Sequence, residues 1–196
     1  MRVLALNIAE AISQGLGLER DHIKKAFGQG WQIMAANFYP QCPQPNLTLG
    51  VSQHWDKGAL TLLMQNDVDG LQVKHKGRWV AVRPTPGMFT VTLGNYMEEL
   101  SNGKYKSIQH RTVVNKERMR ITVSVGHRPE HDAIMAPAHQ LVEKDGGPRF
   151  KSLRFGDNIK LQKTIVSKGK HALEALAFHQ DTAVMPSQSA VERTVE

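Results

Sequence analysis

At 196 residues, 40% hydrophobic and 22% charged, the chain is long enough for one ordinary domain with a real core and too short for two comfortable ones. Its net charge of +7 comes from scattered lysines and arginines without a long basic run, which describes a solvated surface rather than a nucleic-acid footprint. No apolar run approaches the ~20 residues of a membrane span, Asn7 and Glu10 interrupt any signal-peptide core, and the single Cys42 excludes an intrachain disulfide, so a cytoplasmic protein without a membrane or nucleic-acid partner is expected.

Apolar positions at Leu4, Ile8, Ala11, Ile12 and Leu16 predict a helix over 3–16, ended by Gly15 and Gly17. Asp21 caps a shorter helix running to Phe27, and Gly28 and Gly30 break the chain. A strand is predicted over 31–39, after which Pro40, Pro43 and Pro45 forbid regular structure. Further strands are predicted over 60–64, 71–75, 78–82, 88–93, 107–115 and 120–126, with turns at Gly70 and Lys76-Gly77. A short helix fits 96–101, closed by Asn102-Gly103. Another is expected over 157–176, interrupted near Gly169, before a disordered polar tail from 179 to 196. Short strands separated by turn signals suggest an antiparallel sandwich or jelly roll with helices at both ends. The expected organisation is a helical lead-in over 1–30, a core over 31–130 and a loop and helix over 131–178.

One short stretch carries the chemistry. In His54-Trp55-Asp56 the histidine and the aspartate project to the same side if the backbone is extended, and Trp55 then faces away. One imidazole and one carboxylate are two-thirds of the facial triad that holds non-heme Fe(II) with positions left open. The missing histidine is expected on the far side of whatever sheet carries this strand, with His110 as the candidate. His75, His127, His131 and His171 read as ordinary surface or core histidines.

The blocks Asn37-Phe38-Tyr39-Pro40-Gln41-Cys42-Pro43, His54 to Leu63, Gly70-Leu71-Gln72-Val73, Trp79-Val80-Ala81-Val82, Leu93-Gly94, Leu100 to Ser107, His110-Arg111 and Arg120-Ile121-Thr122 occur in one order. In this order they resemble the catalytic half of a plant-type 2-oxoglutarate and Fe(II)-dependent dioxygenase, over about Leu4 to Phe178. The resemblance implies a mainly β fold, a double-stranded β-helix (jelly roll) with flanking helices. It implies Fe(II) held by His54, Asp56 and His110, with 2-oxoglutarate and dioxygen as cosubstrates. Arg120 would grip the distal carboxylate of 2-oxoglutarate, because a guanidinium stays charged and its fork matches both oxygens. Thr122 would add a hydroxyl from the same face, and Tyr39 a further hydrogen bond. The implied activity is hydroxylation, desaturation or demethylation of a small plant-type metabolite or hormone-like substrate, with release of succinate and CO2. Asn37, Trp55 and Phe155 are the candidates for the substrate pocket.

The chain departs from the family pattern in four places. Trp55 is bulky where the family is small or polar, and Thr122 replaces a serine. Asn95 stands where a carboxylate is common, so a hydrogen bond supporting the metal ligands is expected to be lost. The N-terminal domain usual in the family is not seen ahead of Met1, so Leu4, Ile8 and Ile12 are expected to form a bare surface that favours self-association. The alternative is therefore a truncated jelly-roll binding protein that retains metal but turns over weakly or not at all.

Overall fold

The computed structural model describes residues 1–166 together with Leu173 and 176–178. The tail expected to be disordered over 179–196, His171, Gly169 and most of the helix expected beyond 166 lie outside the described residues.

Helix α1 spans Arg2–Gly15 and α2 spans His22–Phe27. The fully buried line on α1 is Ala5, Ala9 and Ser13, while Leu6, Ile8 and Ile12 are only partly buried beside it and Leu4 is exposed. The buried stripe is thus rotated by about one residue from the one read from the larger side chains. Small side chains let the two helices approach closely: the Ser13 hydroxyl donates to Ala9 O at 2.9 Å and accepts from the Ile23 amide at 3.2 Å. Of the surface expected to be bare, Ile8 and Ile12 are partly packed, while Leu4 stays exposed.

Among the described residues ten strands follow, with three more α-helices among them. They are β1 (Trp31–Tyr39), β2 (Val51–His54), β3 (Leu60–Gln65), β4 (Leu71–His75), β5 (Arg78–Ala81), β6 (Thr90–Leu93), β7 (His110–Thr112), β8 (Arg120–Arg128), β9 (Ile134–Met135) and β10 (Leu153–Arg154). Helix α3 is Asn95–Leu100, α4 is His139–Asp145 and α5 is Phe155–Val166. Helix α4, closed by Gly146 in the left-handed region, and the short β9–β10 pair carry no periodicity strong enough to be read from the sequence. The stretch expected to be strand over 107–115 is regular only at His110–Thr112.

Two four-stranded antiparallel sheets form the body, in the orders β1-β8-β3-β6 and β2-β7-β4-β5. This is the double-stranded β-helix. The main core lies on the outer side of the first sheet, where Leu60 and Leu62 pack with Ile23, Phe27, Tyr96, Met97 and Phe155 from the helices. Strand alternation sends the other face of the same strands inward, so Asn37, Tyr39, Arg120 and Thr122 reach the space between the sheets. Farther along the outer face Met34, Phe38, Met64 and Ile121 are 72%, 61%, 50% and 46% exposed, and the β1–β8 register pairs Phe38 with Ile121.

Candidate metal centre and cosubstrate cavity

His54 ends β2 and His110 begins β7, and the two residues are direct cross-strand partners. The second histidine is therefore on the neighbouring strand of the same sheet, not on the far side of it. Their rings lie 4.2 Å apart, centroid to centroid. Asp56 lies just past the end of β2 rather than within it, so backbone alternation alone does not aim it. Its position comes from tertiary bonds: the Asn95 amide donates to Asp56 O at 2.8 Å, and the Thr92 hydroxyl donates to Asp56 Oδ2 at 2.9 Å. Gly94 makes this approach possible, since a Cβ there would stand 2.7 Å from Asp56 O.

Asp56 Oδ1 faces both histidines, 3.9 Å from His54 Nε2 and 3.8 Å from His110 Nε2. The ligand atoms of the three side chains all lie within 4.8 Å of one another, and this is the only such group found among the described residues. Each imidazole is oriented by its other nitrogen. Nδ1 of His54 meets Ser52 O at 2.8 Å and Nδ1 of His110 meets Ile108 O at 3.1 Å. A carbonyl only accepts, so Nδ1 carries the hydrogen and Nε2 of the neutral ring presents its lone pair to the centre. Burial, followed by the neighbouring His110, holds the His54 pKa below its ordinary value, which favours this neutral form. Two neutral imidazoles and one carboxylate suit a divalent first-row ion, leaving a net charge of about +1 that attracts an anionic cosubstrate.

A cavity of ≈ 220 Å³ opens beside the triad. At its other end Arg120 is 2% exposed, with Nη2 donating to Gln65 Oε1 at 2.7 Å and the guanidinium 5.2 Å from the centre of the Tyr39 ring. Nε and Nη1 of Arg120 are buried without a protein partner. Burial lowers the Arg120 pKa and Tyr39 partly offsets this. A buried cation with unused N–H groups fits an anion in the cavity, because such donors are costly to leave unpaired. Gly70 is needed here as well: a Cβ on it would stand 2.6 Å from Arg120 Cδ. Thr122 lies beside Arg120 on the same inward face, and its hydroxyl accepts from Asn37 Nδ2 at 3.2 Å. Asn37 and Tyr39 line the cavity with them.

One expectation needs correction, and two others are sharpened. Phe155 is fully buried in the main core at the start of α5, against Tyr96 and His131, and does not line the cavity. Trp55 is half-buried and is not among the cavity-lining residues either. The side chain of Asn95 is buried with its Oδ1 unpartnered, and the hydrogen bond that supports the metal-site carboxylate comes instead from Thr92. Gln65, Gly70 and Thr92 join the site with no role there assigned to them from the sequence, and of the three only Gly70 stands in the quoted blocks. A larger hollow of ≈ 660 Å³ lies between the 45–49 loop and Arg111, and none of the triad residues lines it.

The model of the 2OG-Fe(II) oxygenase superfamily matches residues 30–129, the stretch that contains His54, Asp56, His110 and Arg120. The chain belongs to that superfamily. It is 45% identical over 159 residues, covering 80% of this chain and 46% of the relative, to Protein DMR6-LIKE OXYGENASE 2 of Arabidopsis thaliana. It is 40% identical over 161 residues to Flavanone 3-dioxygenase 2 of Oryza sativa subsp. japonica, covering 82% of this chain and 47% of the relative. Among solved structures it is similar to JOX2 in complex with 2OG, Fe and JA, with a TM-score of 0.81 and 32% identity over 89% of this chain and 53% of that one. The chain thus spans about half the length of the curated oxygenases it matches. The superfamily uses Fe(II), 2-oxoglutarate and dioxygen, and the donor set and the buried arginine described above fit the first two.

Proposed function

We propose that this chain is the catalytic part of an Fe(II)- and 2-oxoglutarate-dependent oxygenase that oxidises a small organic molecule and gives succinate and CO2. The observation that carries the reading is one cavity with three convergent metal donors at one end and a buried arginine with unused N–H groups at the other. His54, Asp56 and His110 hold the iron, and Arg120, Thr122 and Tyr39 hold the 2-oxoglutarate carboxylate remote from it. An iron held by these three residues would supply the dioxygen chemistry, with 2-oxoglutarate as the source of electrons. The remaining work belongs to the protein: the Ser52 and Ile108 carbonyls fix the imidazoles, and Thr92 fixes Asp56. The printed names of the relatives, a flavanone dioxygenase and a complex with JA, support a plant-type metabolite or hormone-like substrate.

Anaerobic Fe(II) and 2-oxoglutarate should give a visible absorption band, and admission of oxygen with a metabolite panel should release succinate. Arg120→Gln is expected to weaken 2-oxoglutarate by about 30-fold or more, as loss of one partner of a buried charge pair implies, while metal binding persists. A band without succinate from any substrate would favour the alternative, a metal-retaining binding protein.

The exposed Met34, Phe38, Met64 and Ile121 support self-association through the outer face of the first sheet, each large apolar side chain contributing ~1.5–3 kcal/mol when fully covered. Sedimentation should show a concentration-dependent dimer that Phe38→Lys shifts to monomer; a wild-type monomer at high micromolar concentration would remove this assignment. A cytoplasmic location is supported by the free Cys42. No helix among the described residues is long and apolar enough to cross a membrane.

A further inference from the structure

We propose that Arg128, together with the opening at Gly126, is a receptor for the carboxylate of an organic-acid substrate at the mouth of the metal cavity. This rests on the oxygenase reading of the site. Alternation along β8 puts Gly126 and Arg128 on the same face as Arg120 and Thr122. The register places Gly126 beside Thr61, and Thr61 beside Thr92, whose hydroxyl holds Asp56. Gly126 is therefore level with the metal ligands, and Arg128 is one inward position beyond them, opposite Trp31.

The guanidinium of Arg128 lies 4.9 Å from the centre of the Trp31 ring. Its stem crosses Gly58, two residues after Asp56, where a Cβ would stand 2.9 Å from Arg128 Cγ. Burial lowers the Arg128 pKa and the charge of Asp56 partly offsets this, which places the two groups within electrostatic reach of each other. Arg20, Arg118 and Arg154 each face a carboxylate, and Arg111 and Arg120 each bond a glutamine. Among the described residues Arg128 makes no ion pair. A guanidinium held by its face on an aromatic ring keeps its N–H edge available, the geometry that accepts a carboxylate through two parallel bonds.

Gly126 is independent of that argument. Its backbone is extended and not in the left-handed region. A Cβ there would meet Thr61 Oγ1 at 3.6 Å and Ile33 O at 3.9 Å, which is ordinary contact. Neither conformation nor packing requires glycine, and glycine weakens a central strand. What its absent side chain leaves is room on the inward face of β8, level with Thr61 and Thr92, for the apolar body of a ligand whose carboxylate reaches Arg128.

The test is calorimetric titration of the full chain with 2-naphthylacetate and with its uncharged methyl ester, with and without saturating Mn(II) and 2-oxoglutarate. Wild type should prefer the acid by about 10-fold or more, the scale of one retained charged contact. Arg128→Gln should remove that preference by weakening the acid alone, and Arg128→Lys should restore part of it. Gly126→Leu should weaken acid and ester alike. The proposal is overturned if wild type binds neither probe or both equally, or if Arg128→Gln leaves the acid unchanged. It is also overturned if Arg128→Gln weakens Mn(II) rather than the acid, which would make Arg128 a support for Asp56. Failure of wild type to bind Mn(II) or 2-oxoglutarate would count against the oxygenase reading instead, and the acid–ester comparison on metal-free protein would still decide the role of Arg128.

Discussion

Asp56→Ala is expected to abolish the anaerobic Fe(II)–2-oxoglutarate absorption band, and Thr92→Val to weaken metal binding by about 10–100-fold while leaving the band attainable at high metal. The two variants separate a donor from the group that aims it. Asp56 supplies the sole negative charge of the triad and faces both histidines at 3.8 to 3.9 Å, so its removal takes away both a ligand and the charge that offsets the ion. Thr92 touches only the other carboxylate oxygen, at 2.9 Å. Its loss frees Asp56 to rotate but leaves the three donors present. Metal titration followed by Mn(II) electron paramagnetic resonance gives the affinities directly. A wild-type band that survives Asp56→Ala would sink the assigned triad, and an unchanged affinity in Thr92→Val would show that the Asn95 amide alone positions the aspartate.

The second large effect concerns stability. Glu99 on α3 is fully buried, with Oε1 accepting from Asn158 Nδ2 of α5 at 3.4 Å and Oε2 without a partner. Asn158 also contacts Met135 Sδ of β9 and accepts from Gln162, so the carboxyl sits under the docked C-terminal helix. Burial pushes the Glu99 pKa up to about 8, with Asn158 opposing and Glu98 reinforcing the shift. The folded protein therefore keeps a proton that the unfolded chain releases near the ordinary value of 4.5. Stability from this group is fully present below that ordinary value and is lost as pH rises through about 8. At ~1.4 kcal/mol per pKa unit the total is on the order of a few kcal/mol. Glu99→Gln keeps an acceptor for Asn158 without the ionisation. It should melt higher than wild type above pH 8 and remove most of the decline in melting temperature across this window. Parallel pH–melting curves for the two proteins would refute the assignment. His54 and His127, held neutral chiefly by burial, contribute in the opposite direction on the acid side and are common to both proteins.

Much of the site is local in origin, which is why it was legible. Period-two alternation is a property of any extended chain, so Asn37 with Tyr39 and Arg120 with Thr122 had to share faces once their strands were recognised. The His54-x-Asp56 spacing was visible in the same way, although Asp56 owes its final aim to Thr92 and Asn95 rather than to the strand. The helix boundaries at Gly17 and Gly28 follow from positive φ values of 75° and 61° that other residues rarely adopt.

The sequence by itself therefore determined the strand-rich fold, the residue types of the metal and anion sites, and which side chains on one strand act together. Tertiary structure decided which strands meet. It placed His110 directly opposite His54 in one sheet, brought Gln65 and Gly70 to Arg120, and sent Phe155 into the core instead of the pocket. It also enclosed Glu99 beneath α5 and set Arg128 over Trp31. These outcomes depend on cross-strand register and on contacts between layers, which join residues far apart in the chain and leave no periodic trace along it.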